Sequence, residues 1–159
     1  MSDFVEECLK AHNEYRSLHG VPPVTLNHEI SEFSQSWAEM LLAEKRFQPS
    51  GNPSYGENLF YVYSPVPNFK LSPKSPVKSW YDEIKFYRFG EEPVDLTAGR
   101  FTQLIWKDTR EIGIGVARDE DTAIVVVNYY PPGNYVGAFR KQVPPPRAKS
   151  WLDWSSWLS

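Results

Sequence analysis

The sequence predicts an α-β-α layered domain, in which a small sheet is covered by helices on both faces. Segments with apolar residues at helical spacing precede two strand-like segments near the C-terminal end. Within the second of these, Val125, Val126 and Val127 form a continuous apolar run. Such a run is typical of a central strand that is buried on both faces. With 159 residues, 41% of them hydrophobic, the chain is long enough for one domain with a sizeable core.

The first helix is predicted over residues 3–19. Asp3 and Glu6 have the spacing of a capping box at its start. Gly20 ends it, and Pro22 and Pro23 prevent its continuation. The residues at spacings of three and four on its inner face are Val5, Cys8, Leu9, His12, Tyr15 and His19.

A second helix is predicted from about residue 27 to about residue 47. Asn27 is a good N-cap residue, and the loop chemistry of residues 48–56 ends the helical pattern. Its predicted inner stripe consists of Ile30, Phe33, Trp37, Met40, Leu41 and Glu44.

The rest of the chain alternates between short helices and strands. Residues 59–63 are a strand candidate, and the proline-rich residues 64–76 are a connector. Ser75 and Pro76 are expected as N-cap and first residue of a third helix, whose inner face is Val77, Trp80, Ile84 and Tyr87. A short helix is predicted over 97–106, and two strands over 112–117 and 123–130.

The cysteine and histidine residues favour structural over reactive roles. Cys8 is the single cysteine, so no internal disulfide can form, which favours a reducing compartment. We expect Cys8 to act as a small buried hydrophobe and His12 as a core histidine, whereas His19 and His28 are expected to be solvated.

The N-terminus carries no visible secretory signal, and Ser2 stands where N-myristoylation requires glycine. We therefore expect a cytoplasmic protein and leave open a peripheral association with Golgi or other internal membranes.

Charge is distributed unevenly along the chain. The net charge is −3, yet residues 140–159 carry four basic side chains against Asp153, so the preceding part carries −6. The overall balance disfavours a nucleic-acid binder, and no apolar stretch approaches the roughly 18–20 residues of a membrane span. We predict a single domain over residues 1–146 and a basic, Trp-rich tail over 147–159.

Five segments together resemble the CAP superfamily (cysteine-rich secretory proteins, antigen 5, pathogenesis-related 1). They occur in the family's order and spacing, and the similarity extends over about residues 3–146. The cysteine-poor composition and the ending at 143–146 are most similar to the intracellular, Golgi-associated branch. The segments are 12–16 (HNEYR), 56–59 (GENL), 80–84 (WYDEI), 99–106 (GRFTQLIW) and 128–134 (NYYPPGN).

The resemblance implies an α+β fold, the three-layer α-β-α sandwich of the CAP/SCP type with a small central antiparallel sheet. It also implies a cleft in which two histidines and two glutamates can bind a divalent metal. The glutamates match Glu57 and Glu83, whereas Gln48 replaces the first histidine and Arg100 the second. Arginine stays protonated and offers only donors, so it cannot be a ligand.

We therefore expect a degenerate metal cleft with no metal and no cofactor. The hypothesis is that Arg100 pairs with both Glu57 and Glu83, because a guanidinium fits carboxylates well. An alternative is that Glu57 is structural and binds loop backbone. Asn58 and Gln103 are expected to support the cleft by bonding to nearby backbone.

Three functions follow from these features. Lipid or anionic-membrane binding is implied for some family members, and the tail offers Arg147, Lys149, Trp151, Trp154 and Trp157 for it. The alternative is a module that binds a protein partner or a second copy of itself through the tail. A hydrolase using Glu57 and Glu83 is the least favoured, since a salt-bridged pair is a poor general acid.

Overall fold

The computed structural model describes residues 3–147, and its helices and strands alternate along the chain. A 3₁₀ helix, Asp82–Phe86, directly continues the third α-helix. The helices are α1 (Asp3–Leu18), α2 (His28–Glu44), α3 (Lys74–Tyr81), α4 (Gly99–Ile105) and α5 (Phe139–Gln142). The strands are β1 (Thr25–Leu26), β2 (Gly56–Tyr63), β3 (Glu111–Arg118) and β4 (Thr122–Tyr130).

The four strands form one sheet in the order β1-β3-β4-β2. The pairs β3–β4 and β2–β4 are antiparallel, whereas β1 and β3 are parallel. Strands β2, β3 and β4 thus form the expected small antiparallel sheet, and β1 joins it in parallel at one edge. Parallel neighbours need a long crossover connection, and here it comprises the whole chain between β1 and β3. β1 has only two residues, too few to produce an alternating pattern in the sequence.

Strand β4 lies in the middle of the layers and is buried on both faces. Val125 and Val127 belong to a core cluster with residues of α1, α3 and α4. Ile124 and Val126 pack on the opposite face with Ala38 of α2. This arrangement confirms the α-β-α layering that the valine run predicted.

Helix α2 packs unusually close to the sheet. A Cβ atom on Gly113 would overlap main-chain atoms of Ile30 and Ser31, and one on Gly115 would overlap those of Ser34 and Gln35. The close approach leaves room only for small side chains at most of the contact, and the buried residues of α2 are Ile30, Ser34, Ala38 and Leu41.

The predicted inner stripe of α2 was therefore partly wrong. Met40 is 42% exposed and Glu44 is exposed, whereas Phe33 and Trp37 lie at the sides of the helix with intermediate burial. The Asn27 N-cap is confirmed, because its side-chain oxygen accepts a hydrogen bond from the Ile30 amide at 2.9 Å.

Side chains of α2 also form hydrogen bonds with those backbone groups of β3 that lie beyond its pairing with β1. The Gln35 side chain donates to the Val116 carbonyl at 2.8 Å and accepts from the Val116 amide at 2.9 Å. The Ser31 hydroxyl accepts from the Ile114 amide at 3.4 Å. Helix α2 thus supplies hydrogen bonds that a further strand would supply elsewhere.

Helices α1, α3 and α4 agree with the predicted pattern except at their ends. Helix α3 has Pro73, not Ser75, as its N-cap, so that part of the prediction is wrong. Its predicted inner face is confirmed, since all four residues, Val77, Trp80, Ile84 and Tyr87, are buried. Helix α5 has only four residues and was not predicted.

The inner face of α1 contains polar residues that are fully satisfied. Cys8 and His12 are buried, as predicted. The Nδ1–H group of His12 donates to the Cys8 carbonyl at 2.8 Å, and its Nε2 accepts from the Tyr129 hydroxyl at 2.7 Å. Arg16 is fully buried, and its guanidinium donates to five backbone carbonyls, those of Pro22, Leu104, Trp106, Lys107 and Thr109.

The expectation of a solvated His19 is wrong. His19 is only 2% exposed; its Nδ1–H donates to the Pro144 carbonyl at 2.8 Å and its Nε2 accepts from the Tyr81 hydroxyl at 2.7 Å. Aromatic rings of Tyr81, Phe89 and Phe101 surround the imidazole and exclude water. His28 is exposed, as predicted, and contacts Glu32 at 3.1 Å.

Candidate functional site

The two cleft glutamates and Arg100 come from three different elements. Glu57 is the second residue of β2, Glu83 lies in the 3₁₀ helix, and Arg100 is in the first turn of α4. Asn58 connects β2 and α4, because its side-chain amide donates to the Arg100 carbonyl at 3.1 Å. The folded chain therefore brings all three segments to one region.

Arg100 and Glu83 form a two-pronged contact. The Arg100 guanidinium donates to Glu83 Oε2 at 2.6 Å, and the Arg100 backbone amide donates to Glu83 Oε1 at 3.0 Å. The Glu83 side chain is only 14% exposed, whereas that of Arg100 is 55% exposed. This ion pair fixes the start of α4 against the 3₁₀ helix.

Glu57 has partners other than Arg100. Its Oε1 accepts from the Ser50 amide at 2.8 Å, and its Oε2 accepts from the Ser50 hydroxyl at 2.6 Å and from Asn128 at 3.0 Å. No ion pair joins Glu57 to Arg100 in residues 3–147. The expected pairing of Arg100 with both glutamates is therefore corrected to one. The Glu57 carboxylate instead accepts hydrogen bonds from the Ser50 amide, the Ser50 hydroxyl and Asn128.

Within residues 3–147, the Gln48 side chain makes no hydrogen bond to Glu57, Glu83 or Arg100. It is exposed, and its backbone carbonyl accepts from the Trp37 indole at 3.1 Å. Ser50 and Asn128 are the contact residues that the sequence reasoning missed. Asn128 opens the 128–134 segment that carried the family resemblance, which was the available signal.

Gln103 supports the same side of the molecule through the 128–134 segment. Its Oε1 accepts from the Gly133 amide at 2.8 Å, and its Nε2 donates to the Thr109 hydroxyl at 3.1 Å. A side chain on Gly133 would overlap the Trp106 indole, so the segment can pass there only with glycine.

A buried chain of hydrogen bonds lies behind the cleft. Asn58 donates to the Tyr129 hydroxyl at 3.2 Å, and that hydroxyl donates to His12. Burial lowers the pKa of His12 to about 4 and raises the pKa of Tyr129 well above its usual value. Both groups are therefore neutral at pH 7, and this chain is structural support for β2, β4 and α1.

The residues present do not fit a divalent metal. No group of three or more His, Cys, Asp and Glu side chains in the described part is arranged to hold an ion. Within residues 3–147, the cation paired with Glu83 is the Arg100 guanidinium, which has no lone pair to offer.

The tail lies almost entirely outside the described residues. Arg147 is exposed, and its backbone amide donates to the Leu18 carbonyl at 2.8 Å. Lys149, Trp151, Trp154 and Trp157 fall beyond residue 147. No helix in residues 3–147 is both long and apolar enough to span a bilayer.

Fold and site residues together define a CAP domain, and the chain belongs to the CAP, or cysteine-rich secretory protein, family, whose model matches residues 9–129. The chain is 37% identical over 150 residues to Golgi-associated plant pathogenesis-related protein 1 of Homo sapiens, covering 91% of this chain and 94% of that protein. It is 34% identical to Repressed by EFG1 protein 1 of Candida albicans, covering 85% of this chain and 48% of that protein.

Solved structures show the same fold. A crystal structure of NaASP2 with Zn²⁺ matches with a TM-score of 0.70 at 21% identity, covering 92% of this chain and 88% of that one. BmVAL-1 matches with a TM-score of 0.72 at 20% identity, covering 86% and 81% of the two chains. At these identities the similarity establishes the α-β-α sandwich alone.

Proposed function

We propose that this chain is a non-catalytic CAP-domain protein with a degenerate metal cleft, and that it binds a lipid or an anionic membrane surface. The degenerate cleft is inferred from the hydrogen bonds that already engage both carboxylates. Each of the four oxygens of Glu57 and Glu83 accepts at least one hydrogen bond from a protein donor. Arg100 supplies the positive charge beside Glu83 that an ion would otherwise supply.

The same occupancy argues against hydrolysis. A general acid or base must reach a substrate proton within hydrogen-bond distance. Ser50 and Asn128 donate hydrogen bonds to Glu57, and Arg100 donates to Glu83. Both carboxylates therefore accept hydrogen bonds from the protein itself. The pair therefore contributes to folding rather than to chemistry.

Zinc calorimetry tests the degenerate cleft. The wild-type chain is expected to show no binding at micromolar zinc, because an arginine stands in place of an imidazole. The variant Arg100→His replaces the guanidinium beside Glu83 by a neutral nitrogen ligand and is expected to bind zinc more tightly than the wild type. Micromolar binding by the wild type that is lost in Glu57→Ala would contradict the proposal.

The lipid part rests on the C-terminal segment. Indole side chains favour the membrane interface, and basic side chains each contribute about 1 kcal/mol near an anionic surface. Arg147 is exposed at the start of this segment, and Arg140 and Lys141 lie on α5 a few residues before it. The human relative is named as Golgi-associated, and an association of that kind would fit such a contact.

Co-sedimentation with vesicles tests the lipid part. The full chain is expected to bind vesicles of phosphatidylcholine and phosphatidylserine more strongly than a chain ending at Pro146. Replacing Trp151, Trp154 and Trp157 by serine separates the indoles from the charges, since Arg147 and Lys149 stay. Binding driven by the charges weakens with added salt. Equal sedimentation of the full and shortened chains would remove the tail from the proposal.

Self-association is the second candidate. Phe47, Tyr61 and Tyr63 are 45%, 50% and 57% exposed, and the Phe47 and Tyr61 rings lie 5.6 Å apart. Neighbouring exposed aromatic side chains are typical of interfaces. Sedimentation velocity without vesicles tests this candidate. A dimer formed through these aromatic residues is expected for both the full and the shortened chain.

A further inference from the structure

A separate cavity of about 360 Å³ lies beside the loop between the 3₁₀ helix and α4. None of Glu57, Glu83 and Arg100 lines it. Much of its wall is apolar and is contributed by Phe86, Pro93, Val94, Leu96, Ala98 and Phe139. A volume of this size is sufficient for a small organic molecule.

One polar group in this wall is without a partner. Tyr87 lines the cavity and is 8% exposed, and its buried hydroxyl makes no hydrogen bond within residues 3–147. Its ring is held by the rings of Phe89 and Phe101 at 5.1 and 5.8 Å. An unpaired buried hydroxyl costs roughly 1–3 kcal/mol, so such groups call for an explanation.

The charged residues around the cavity are mostly acidic. Among the described residues, Glu91, Glu92 and Asp95 line it, together with one cation, Arg88. Glu92 accepts from the amides of Gly137, Phe139 and Arg140 and so fixes α5 beside the cavity.

Asp95 accepts hydrogen bonds from the amide and hydroxyl of Thr97. Glu91 makes neither a hydrogen bond nor an ion pair within residues 3–147. Burial raises the pKa of Tyr87 to about 12, with Glu92 adding to the effect, so the hydroxyl keeps its proton at pH 7. It can therefore both donate and accept.

We propose that this cavity is a binding site for a small amphipathic cation. The apolar body of the ligand packs against the wall formed by Phe86, Leu96 and Phe139. Its ammonium or guanidinium group lies among the carboxylates and donates to the Tyr87 hydroxyl, which thereby gains the missing partner. A fatty-acid carboxylate is disfavoured, because the lining residues within 3–147 include three carboxylates and one cation.

A matched series of six-carbon probes tests the proposal on the full chain. Hexylammonium, hexanol and hexanoate have the same apolar body and differ in the charge of the head group. We expect hexylammonium to bind most tightly and hexanoate most weakly, measured by the shifts of amide resonances of residues 86–99 in titrations. The mapping of shifts to this loop also separates the site from the tail.

The variant Tyr87→Phe tests the role of the hydroxyl. It removes an unpartnered group from the core and is expected to fold at least as stably as the wild type. Loss of one hydrogen bond is expected to weaken hexylammonium binding about three- to tenfold. Tyr63→Phe, at an exposed tyrosine that does not line the cavity, is the control and should leave binding unchanged.

Three outcomes would overturn the proposal. They are no shift in residues 86–99 with any probe, equal or tighter binding of hexanoate, and unchanged hexylammonium affinity in Tyr87→Phe.

Discussion

Arg16 illustrates how this chain buries a charge without a carboxylate. Its side chain is fully buried and donates to five carbonyls that close the loop after α1 and the end of α4. Burial lowers the pKa of Arg16 to about 10, which is still far above neutral pH, so the group remains charged. Carbonyl dipoles take the place of a counter-ion, and the guanidinium joins α1 and the loop after it to residues 104–109, which are distant in sequence.

The buried histidines predict a loss of stability in mild acid. Burial lowers the pKa of His12 and His19 from 6.5 to about 4. Between these values the unfolded chain binds more protons than the folded one, so the free energy of unfolding falls as the pH drops from about 6.5 to about 4. Each histidine contributes at most about 1.4 kcal/mol per pH unit. Urea unfolding at several pH values across this range measures the slope.

Variants assign that slope to particular residues. His19→Gln is expected to reduce it, because one of the two titrating groups is gone. His28→Gln is the control, because it removes a histidine that is exposed and that pairs with Glu32 on the surface of α2. A wild-type slope in His19→Gln would show that His19 does not contribute to the acid sensitivity.

At the scale of residues, prediction succeeded where the local pattern determined burial. Cys8 and His12 lie on the apolar face of α1 and are buried as expected. His19 lies on the same face, seven residues after His12, and this spacing was the signal for its burial. Its partners Tyr81 and Pro144 are distant in sequence, so no local pattern could identify them. The contact of Ser50 with Glu57 depends in the same way on how a loop folds back.

At the scale of elements, the distance between α2 and β3 determines the packing of one face. Gly113 and Gly115 bring the β3 backbone against the helix backbone, and Gln35 and Ser31 then reach the strand's hydrogen-bonding groups. Helical periodicity alone placed large residues inward, because it contains no information on this distance. The glycines of β3 were the signal that small residues of α2 must face the sheet.

The variant Gly113→Ala is predicted to destabilise the fold. Its methyl group would overlap the backbone at Ile30 and Ser31, so α2 must move away from the sheet. Overpacking of this kind costs about 1–3 kcal/mol. Urea denaturation measures the change, with Glu120→Ala in the exposed turn after β3 as a control expected within about 0.5 kcal/mol. Glycine-to-alanine changes without a clash stabilise by about 0.4–1 kcal/mol, so a gain would show that α2 does not need this closeness.

The boundaries of elements were predicted less well than their existence. Strand β2 begins at Gly56, three residues before the aromatic run that indicated it, because its register with β4 extends through Glu57 and Asn58. The backbones of Glu57 and Asn58 pair with β4, while their side chains form hydrogen bonds in the cleft region. Sequence alternation records side-chain burial, so it cannot show where backbone pairing begins.

At the scale of the whole molecule, the layered architecture could be predicted because one strand carries most of the signal. The valine run of β4 is buried on both faces, and only layers of helices on both sides can provide that cover here. The arrangement of the site could not be predicted to the same extent. Glu57, Glu83 and Arg100 come from separate elements, and their partners are set by tertiary packing.

The way α2 covers β3 also limits how copies of this chain could polymerise. On that side of the sheet, the Gln35 side chain binds backbone groups at the edge of β3, and β1 is too short for another strand to pair with it. Strand addition is therefore left to β2 in the described structure, and even there the Trp80 indole binds the Leu59 carbonyl. Two molecules that met through β2 around a twofold axis would use up the free edge of both. Growth would stop at a closed pair, and fibres built by edge-to-edge stacking would require the domain to open first.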